Sequence, residues 1–442
     1  MFLSKPHFRE LRGPQFAFTP NHQPHEVVFI LRSIIEKSIE WALKIWILDG
    51  DIAKAYDNTR HSEVLTSILE AGCPKVLAAA WAREFSSMGV RMKLGQELTD
   101  CIPRTKALFQ GDPSAPFLFN HTLDRPLYAF HCLAQKMKWG IPIHFGGGTY
   151  YFAIIAFADN YWIIATSPSE LKSMLAKWMS LLRVSGWNTP TKEMTYATTA
   201  LDTEYEAPII FENEVIQRVS RKAGFKVLGT IITFDCQDDI ELERRFSAAW
   251  GSFFKFSSIL LCRSIPLERR FVVLARAIHP TFFWCAGSWN LRHDQLPKLR
   301  DLQRSMTRKM MHFKYRPDDT MDSFMHRTES SISHVFDIHN VQLFDELAHR
   351  AVFRWAGKLT QIQLLDPSRL TSIVFGHKDW DWIQVVASQN NGRQLHGRRL
   401  RTWRWERPLY KCFGDNWKVF AQDPAEWASL ERNFLNWRRI NR

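Results

Sequence analysis

"FAIIAFADNYWIIA" (residues 152–165) is two apolar runs broken by Phe157-Ala158-Asp159-Asn160. Short runs rich in Ile, Phe, Tyr and Trp around a polar break read as strand, turn, strand. One acid and one amide are thereby carried to the tip of a hairpin. Taken alone, such a tip is most simply a turn; the other reading is half of a cation site.

The neighbouring segments bear on that choice. "IWILDGDI" (45–52) is another short β-rich run, and it delivers Asp51 to its end. Before it, Val27, Ile30, Leu31, Ile34, Ile35 and Ile39 recur at helical spacing, so "HQPHEVVFILRSIIEKSIEWALK" reads as an amphipathic helix. Asp57-Asn58-Thr59 offers capping residues for a helix carrying Val64, Leu65, Ile68 and Leu69. Gly146-Gly147-Gly148 marks a loop. In "SPSELKSMLAKWMSLLRVSG", Ser167 and Glu170 form a capping box, Pro168 opens the first turn and Gly186 is placed to stop the helix. This alternation is an α+β layout, with helices on one face of a small antiparallel sheet.

From about 236 the strand signals fade. Phe246, Trp250, Phe253 and Phe254, then Leu299, Leu302, Met306 and Met310, indicate a mostly helical region with basic outer faces. The polar stretch 314–334 reads as a linker. "GRQLHGRRLRTWRWERPLYK" opens a basic C-terminal segment.

With 442 residues, 45% of them hydrophobic and 13% aromatic, the chain has material for a substantial core and more than one domain. No apolar stretch approaches the roughly 20 residues of a membrane helix. "MFLSKPHFRELRGPQ" carries charges where a signal peptide has its apolar core, so an intracellular protein is expected, nuclear or cytoplasmic. The seven cysteines never fall into CxxC or CxxH spacing, which supports neither a zinc module nor a disulfide framework. Net charge is +13, and position matters more than the total: residues 1–240 hold 25 basic and 25 acidic side chains. The whole excess lies beyond 240, which favours a polyanionic partner held by the C-terminal half.

If Asp51 and Asp159 meet at adjoining strand ends, the two carboxylates repel by ~1 to ~4 kcal/mol at about 4 Å unless a cation lies between them. Mg²⁺ suits such a pair, because it accepts few carboxylates, keeps waters and takes its other ligands from phosphates. Spacing alone does not settle the matter, since each aspartate is also an ordinary cap or turn residue.

Five segments do more. "DIAKAYD" (51–57), "ALFQGDPSAPFLFN" (107–120), "FADN" (157–160), "GWNTPTKE" (186–193) and "FKVLGTII" (225–232) occur in the order and approximate spacing of reverse-transcriptase motifs A to E. The chain resembles the reverse transcriptase of non-LTR (LINE-type) retrotransposons. Upstream, "QFAFTPNHQPHEVVFILR" is similar to that family's QFGFRPGR segment and the helix after it. Downstream, "LERRFSAAWGSFFKF" to "HPTFFWCAGSWNL" resembles its thumb, and "RTWRWERPLYKCFGDNWKVFAQDPAEWASL" the Trp-rich tail of some members.

The resemblance implies a right-hand polymerase. Residues 1–235 would be partial fingers and palm, 236–313 a helical thumb, 314–390 a linker and helical region, and 391–442 a basic Trp-rich segment. It implies RNA-directed DNA synthesis from dNTPs on an RNA template and DNA primer, with two Mg²⁺ ions for which Mn²⁺ can substitute. Asp51 and Asp159 match the metal-binding aspartates, with the carbonyl of Ile52 as a further ligand. Tyr56 matches the aromatic gate that excludes a ribose 2′-OH. Gln110 and Gly111 match the pair lining the nucleotide and template pocket, and Lys192 the proton donor to pyrophosphate. Leu228 and Gly229 match the primer-grip turn. Arg398, Arg399, Arg401, Trp403, Arg404 and Trp405 would contact nucleic acid, the tryptophans either stacking on bases or filling core.

The family usually has two aspartates where this chain has Asp159-Asn160, and Ala17 and Thr19 stand where it has Gly and Arg. Its basic finger motifs and endonuclease would lie upstream of residue 1. A catalytically dead remnant that at most binds nucleic acid is therefore the alternative. An RNA-dependent RNA polymerase is disfavoured by Tyr56 and Gln110-Gly111.

Overall fold

The apolar runs around Asp51 and Asp159 become strands and lie side by side. In the computed structural model, which describes residues 9–145, 148–201, 207–376 and 404–440, α1 (Pro24–Glu40) leads to β1 (Trp46–Asp51). The helices α2 (Ala55–Asn58), α3 (His61–Glu70) and α4 (Lys75–Ser87) follow. Four two-residue strands, β2 (Gly89–Val90), β3 (Lys93–Leu94), β4 (Glu97–Leu98) and β5 (Ile102–Pro103), then form two minimal ladders. Next come α5 (Ala115–Met137), the hairpin β6 (Ile141–Phe145) and β7 (Gly148–Phe152), the hairpin β8 (Ile154–Phe157) and β9 (Asn160–Ala165), and α6 (Pro168–Val184). The short strands β10 (Thr195–Thr198), β11 (Ile210–Phe211), β12 (Glu214–Val215) and β13 (Gln217–Arg218) precede the pair β14 (Phe225–Val227) and β15 (Thr230–Ile232).

Counted over the described residues, the chain divides into two compact units, one of residues 9–27 and 37–225, the other of 28–36, 226–376 and 404–440. The boundary expected at 390/391 lies outside the described residues.

The first unit is built on a five-stranded sheet in the order β13, β10, β1, β9, β8. All pairings are antiparallel except β10 with β13. α5 and α6 pack together, α6 against β1 and β9, over a core that includes Leu48, Phe119, Tyr161, Ile163, Trp178 and Trp187. Both faces of β9 are covered: every residue from Tyr161 to Ala165 is buried. A continuous apolar run, rather than an alternating one, marks a strand buried on both sides. Similarly α1, read as amphipathic, is buried nearly all round, down to Lys37, which pairs with Glu40 at 2.8 Å.

Two local signals resolve differently from each other. At α6 the Ser167 hydroxyl accepts from the Glu170 N–H as expected, while the Glu170 carboxylate reaches back to the N–H groups of Thr166 and Gly140. At α3 the expected caps are not caps. The N-cap is Arg60, Asp57 and Asn58 belong to α2, and the Thr59 hydroxyl donates to the Ala55 carbonyl.

The second unit is helical, as its sequence indicates: α7 (Asp239–Lys255), α8 (Ser257–Leu260), α9 (Leu267–Ala277), α10 (His279–Phe282), α11 (Leu296–Met310), α12 (Met321–Ile338), α13 (Phe344–Leu365) and α14 (Leu370–Gly376). It ends in α15 (Arg407–Phe413), α16 (Trp417–Phe420) and α17 (Pro424–Ile440). Leu299, Leu302, Met306 and Met310 all face its core. The polar stretch read as a linker is instead mostly α12. Thr320 caps it by accepting from the Ser323 N–H, and Phe324, Thr328, Ile332 and Phe336 bury one stripe at helical spacing. A stripe so thinly apolar is masked in sequence by its many Ser, His and Asp neighbours.

Candidate active site

Register brings the two acidic ends together. Asp51 ends β1 directly opposite Asn160, the first residue of β9, and the pairs Gly50 with Tyr161 and Asp49 with Trp162 follow inward. The β8–β9 turn is two residues long, Ala158 and Asp159, with Ala158 at φ +55°. The N–H of Ile52 donates to the carbonyl of Asp159 at 3.1 Å, so the turn is tied to the end of β1. Asp159 therefore stands beside Asp51, and Asn160 donates its side-chain amide to the Asp159 carboxylate at 3.3 Å.

Glycine at position 50 is a steric requirement. A Cβ there would lie 2.5 Å from the ring of Tyr161, which crosses β1 at that point and packs on Trp178.

The electrostatics follow from crowding. Partial desolvation, then Asp159, then Glu193 hold the Asp51 carboxyl up at about 6. Burial chiefly holds Asp49 at about 7, with Asp51 adding to it. Burial and the nearby Asp159 push the Tyr56 phenol up to about 12. Tyr56 is half-buried, its ring stacked on Phe119 of α5 at 4.9 Å between centroids.

Long-range hydrogen bonds tie the segment 52–59 to the other motifs. The Tyr56 carbonyl accepts from the Leu108 N–H, and the Ala53 N–H donates to Asn188. The buried Trp187 indole N–H donates to the Ala55 carbonyl and the Thr59 hydroxyl. Gln110 and Gly111 lie exposed on the turn before α5. Gly111 has φ +98° and open space where a Cβ would sit.

Lys192 is not drawn into this cluster. Its side chain is 82% exposed, and its ammonium is 3.6 Å from Glu214. It is the next residue, Glu193, whose charge is felt at Asp51.

Leu228 and Gly229 form the β14–β15 turn in the second unit, both at positive φ. The Trp284 indole donates to the Leu228 carbonyl, and the guanidinium groups of Arg244 and Arg245 converge on the Gly229 carbonyl. The buried Glu241 orders these groups by pairing with Arg245 and accepting from the Ile231 N–H.

Trp405 is core rather than a base-stacking platform. It is 5% exposed and meets Phe29 edge to face, because a ring that large is most stable out of water where an apolar wall is offered. The Arg404 backbone N–H donates to Glu36. Arg398, Arg399, Arg401 and Trp403 lie outside the described residues.

Sequence reasoning missed Gln15, whose amide holds the Ala158 peptide from both sides, and Trp187. Both sit inside quoted segments, but their partners are more than a hundred residues away in sequence.

One aspartate at the end of β1, a second in the turn beside it, an aromatic ring next to them and a glycine turn ahead of a long helix are the arrangement of a right-hand palm. Residues 2–232 match the reverse transcriptase (RNA-dependent DNA polymerase) family, and the chain belongs to that family. The chain is similar to the Pol polyprotein of the type-1 retrotransposable element R2 of Popillia japonica, 26% identical over 193 residues, which is 41% of this chain and 26% of that protein. It is also similar to the polyprotein of the type-2 element R2DM of Drosophila melanogaster, 23% identical over 175 residues, 39% of this chain and 15% of that protein. The resemblance to non-LTR reverse transcriptases is thus borne out, with the match spanning about a quarter or less of these relatives. Among solved structures, telomerase of Candida tropicalis with the TWJ fragment of telomeric RNA is a distant likeness. Its TM-score is 0.39 at 10% identity, over 81% of this chain and 52% of that one.

Reverse transcriptases use divalent metal ions, and the donor set here suits one. Among the described residues no group of three or more His, Cys, Asp and Glu is arranged to hold a metal. Mg²⁺ needs no such cage, only one or two carboxylates with water and phosphate completing its shell. Desolvation and then the charge of Asp159 lift the Asp51 carboxyl, and a cation between the two would offset both. Among the described residues no helix is long and apolar enough to cross a membrane.

Proposed function

We propose that the chain is an RNA-directed DNA polymerase of a non-LTR retrotransposon, adding dNTPs to the 3′-OH of a DNA primer paired to an RNA template. The observation that carries this reading is the meeting of Asp51 and Asp159 where the end of β1 adjoins the β8–β9 turn. Two bound Mg²⁺ ions would neutralise the triphosphate and the attacking oxygen in an in-line displacement. Asp51, Asp159 and the Ile52 carbonyl are the groups to hold them. Tyr56, braced by Phe119, fills the space a ribose 2′-OH needs. Gln110 and the side-chain-free Gly111 let backbone approach the nucleotide and template. The Leu228–Gly229 turn steadies the primer end. Lys192 serves as proton donor only by exchanging Glu214 for the leaving pyrophosphate. The basic excess beyond residue 240 grips duplex phosphates without regard to sequence.

Asn160 shapes the expected level of activity. Its amide orients the Asp159 carboxylate but brings no charge, so metal affinity is lower than with a second aspartate. Primer extension on an RNA template in Mg²⁺ or Mn²⁺ tests the reading. Weak extension is expected from the wild-type chain, stronger extension from Asn160→Asp, and none from Asp159→Ala. If wild type and Asn160→Asp both bind the duplex and neither extends the primer, the chain is a nucleic-acid-binding remnant.

A further inference from the structure

We propose that Gln15 is a positioning residue for the reaction, holding the turn that presents Asp159 to the metal site. Its carboxamide Nε2 donates to the Ala158 carbonyl at 3.1 Å, and its Oε1 accepts from the Ala158 N–H at 3.0 Å. The same oxygen accepts from the Ala17 N–H at 3.0 Å. Gln15 is 3% exposed, and its carboxamide donates to and accepts from the residue just before Asp159.

The need for such a clamp is visible in the turn. Ala158 adopts φ +55°, a left-handed conformation that an L-residue with a Cβ disfavours and that glycine adopts freely. A two-residue turn with alanine there relaxes unless something holds it. Ile52 ties down the Asp159 carbonyl on one side, and Gln15 fixes both polar groups of Ala158 on the other.

Gln15 is itself anchored. The residues around it run beside β8 as a short parallel extension, with Phe16 donating to Ala156 and Ala156 to Pro14. Asp124 of α5 accepts from the N–H groups of Arg12 and Gly13 at 2.7 and 2.8 Å, and Asn120 donates to the Ala17 carbonyl at 2.6 Å. The helix that follows the Gln110–Gly111 turn therefore holds the strap that holds Asp159. A shift of about 1 Å in a reacting group can cost about 10²-fold in rate.

The inference rests on the polymerase reading, and two measurements keep the two apart. Gln15→Ala is expected to weaken binding of Mn²⁺ alone, followed by water-proton relaxation without nucleotide, by about 10- to 100-fold. It should lower kcat for primer extension about 10²-fold while the KM for dNTP stays unchanged. Adding Ala158→Gly to Gln15→Ala should restore part of the lost Mn²⁺ affinity, because glycine holds the turn conformation without the clamp. A folded Gln15→Ala protein with wild-type Mn²⁺ affinity and kcat overturns the proposal. Gln15→Met keeps the volume and removes the bonds, and is read in the same way if Gln15→Ala does not fold. Failure of both variants to fold assigns Gln15 to folding alone and also overturns it. A wild-type chain that extends no primer, yet loses Mn²⁺ affinity on Gln15→Ala, sinks the polymerase reading and with it the role in the reaction, and leaves Gln15 holding the Asp159 turn at a metal site alone.

Discussion

Tyr56 shows what a single side chain does once its surroundings are known. In sequence it is an aromatic five residues after an aspartate, equally at home in a core. The structure leaves it half-buried, with one face of the ring on Phe119 and Asp159 close enough to raise its phenol. On the polymerase reading proposed above, a ring braced from behind would exclude by shape, because it could not yield to a 2′-OH without leaving its stack. Tyr56→Val should therefore lower the preference for dNTPs over rNTPs by about 10- to 100-fold, read as the ratio of kcat/KM values in single-nucleotide extension. An active variant with an unchanged ratio would remove Tyr56 from the gate. Lys192 makes the opposite point: expected near the reacting groups, it has Glu214 as its neighbour, and it is Glu193 of the short helical turn at 191–193 whose charge is felt at Asp51.

At the scale of elements, the sheet depends on register. A one-residue slip of β9 against β1 would move Asn160 away from Asp51 and turn Tyr161 to the other face. Gly50 is where register and packing meet, since only a residue without a side chain lets Tyr161 cross β1. Gly50→Ala should cost about 1–3 kcal/mol of stability through overpacking. Urea unfolding measures this, and a midpoint equal to that of the wild type would show that Tyr161 moves aside freely. Strands β1, β8 and β9 were legible in sequence because short β-branched and aromatic runs bounded by polar residues are a strong local signal, whereas the short β10 and β13 carry no such run. α12 was not, because its stripe of Phe324, Thr328, Ile332 and Phe336 has only three apolar members among eighteen residues, and its burial comes from partners far along the chain.

For the whole molecule the governing quantity is charge. The net +13 resides beyond residue 240, so affinity for duplex should be dominated by phosphate contacts and counterion release. Six such contacts would cost about 10³-fold in affinity between 50 and 200 mM salt. Fluorescence anisotropy of a labelled RNA–DNA duplex reads this slope, and salt-independent binding would exclude the electrostatic grip. Within the second unit, basic residues also serve the fold: Arg245 is buried against Glu241, and Arg308 and Arg304 both pair with Glu329. The charge free to meet a polyanion is therefore less than a count of Lys and Arg implies.

The order of the motifs, the α+β character of the first unit and the helical character of the second could all be read from the sequence alone. These are local properties, carried by periodicity, turn chemistry and short contiguous motifs. It took the folded chain to show that Gln15 holds the Asp159 turn, that Asn160 donates to Asp159, that Trp187 pins the segment after Asp51 and that Trp405 is core. Gln15 and Ala158 lie 143 residues apart, Trp187 and Ala55 132 apart. No local pattern records such a pairing, because it is chosen by the closure of the whole chain rather than by the neighbours of either residue.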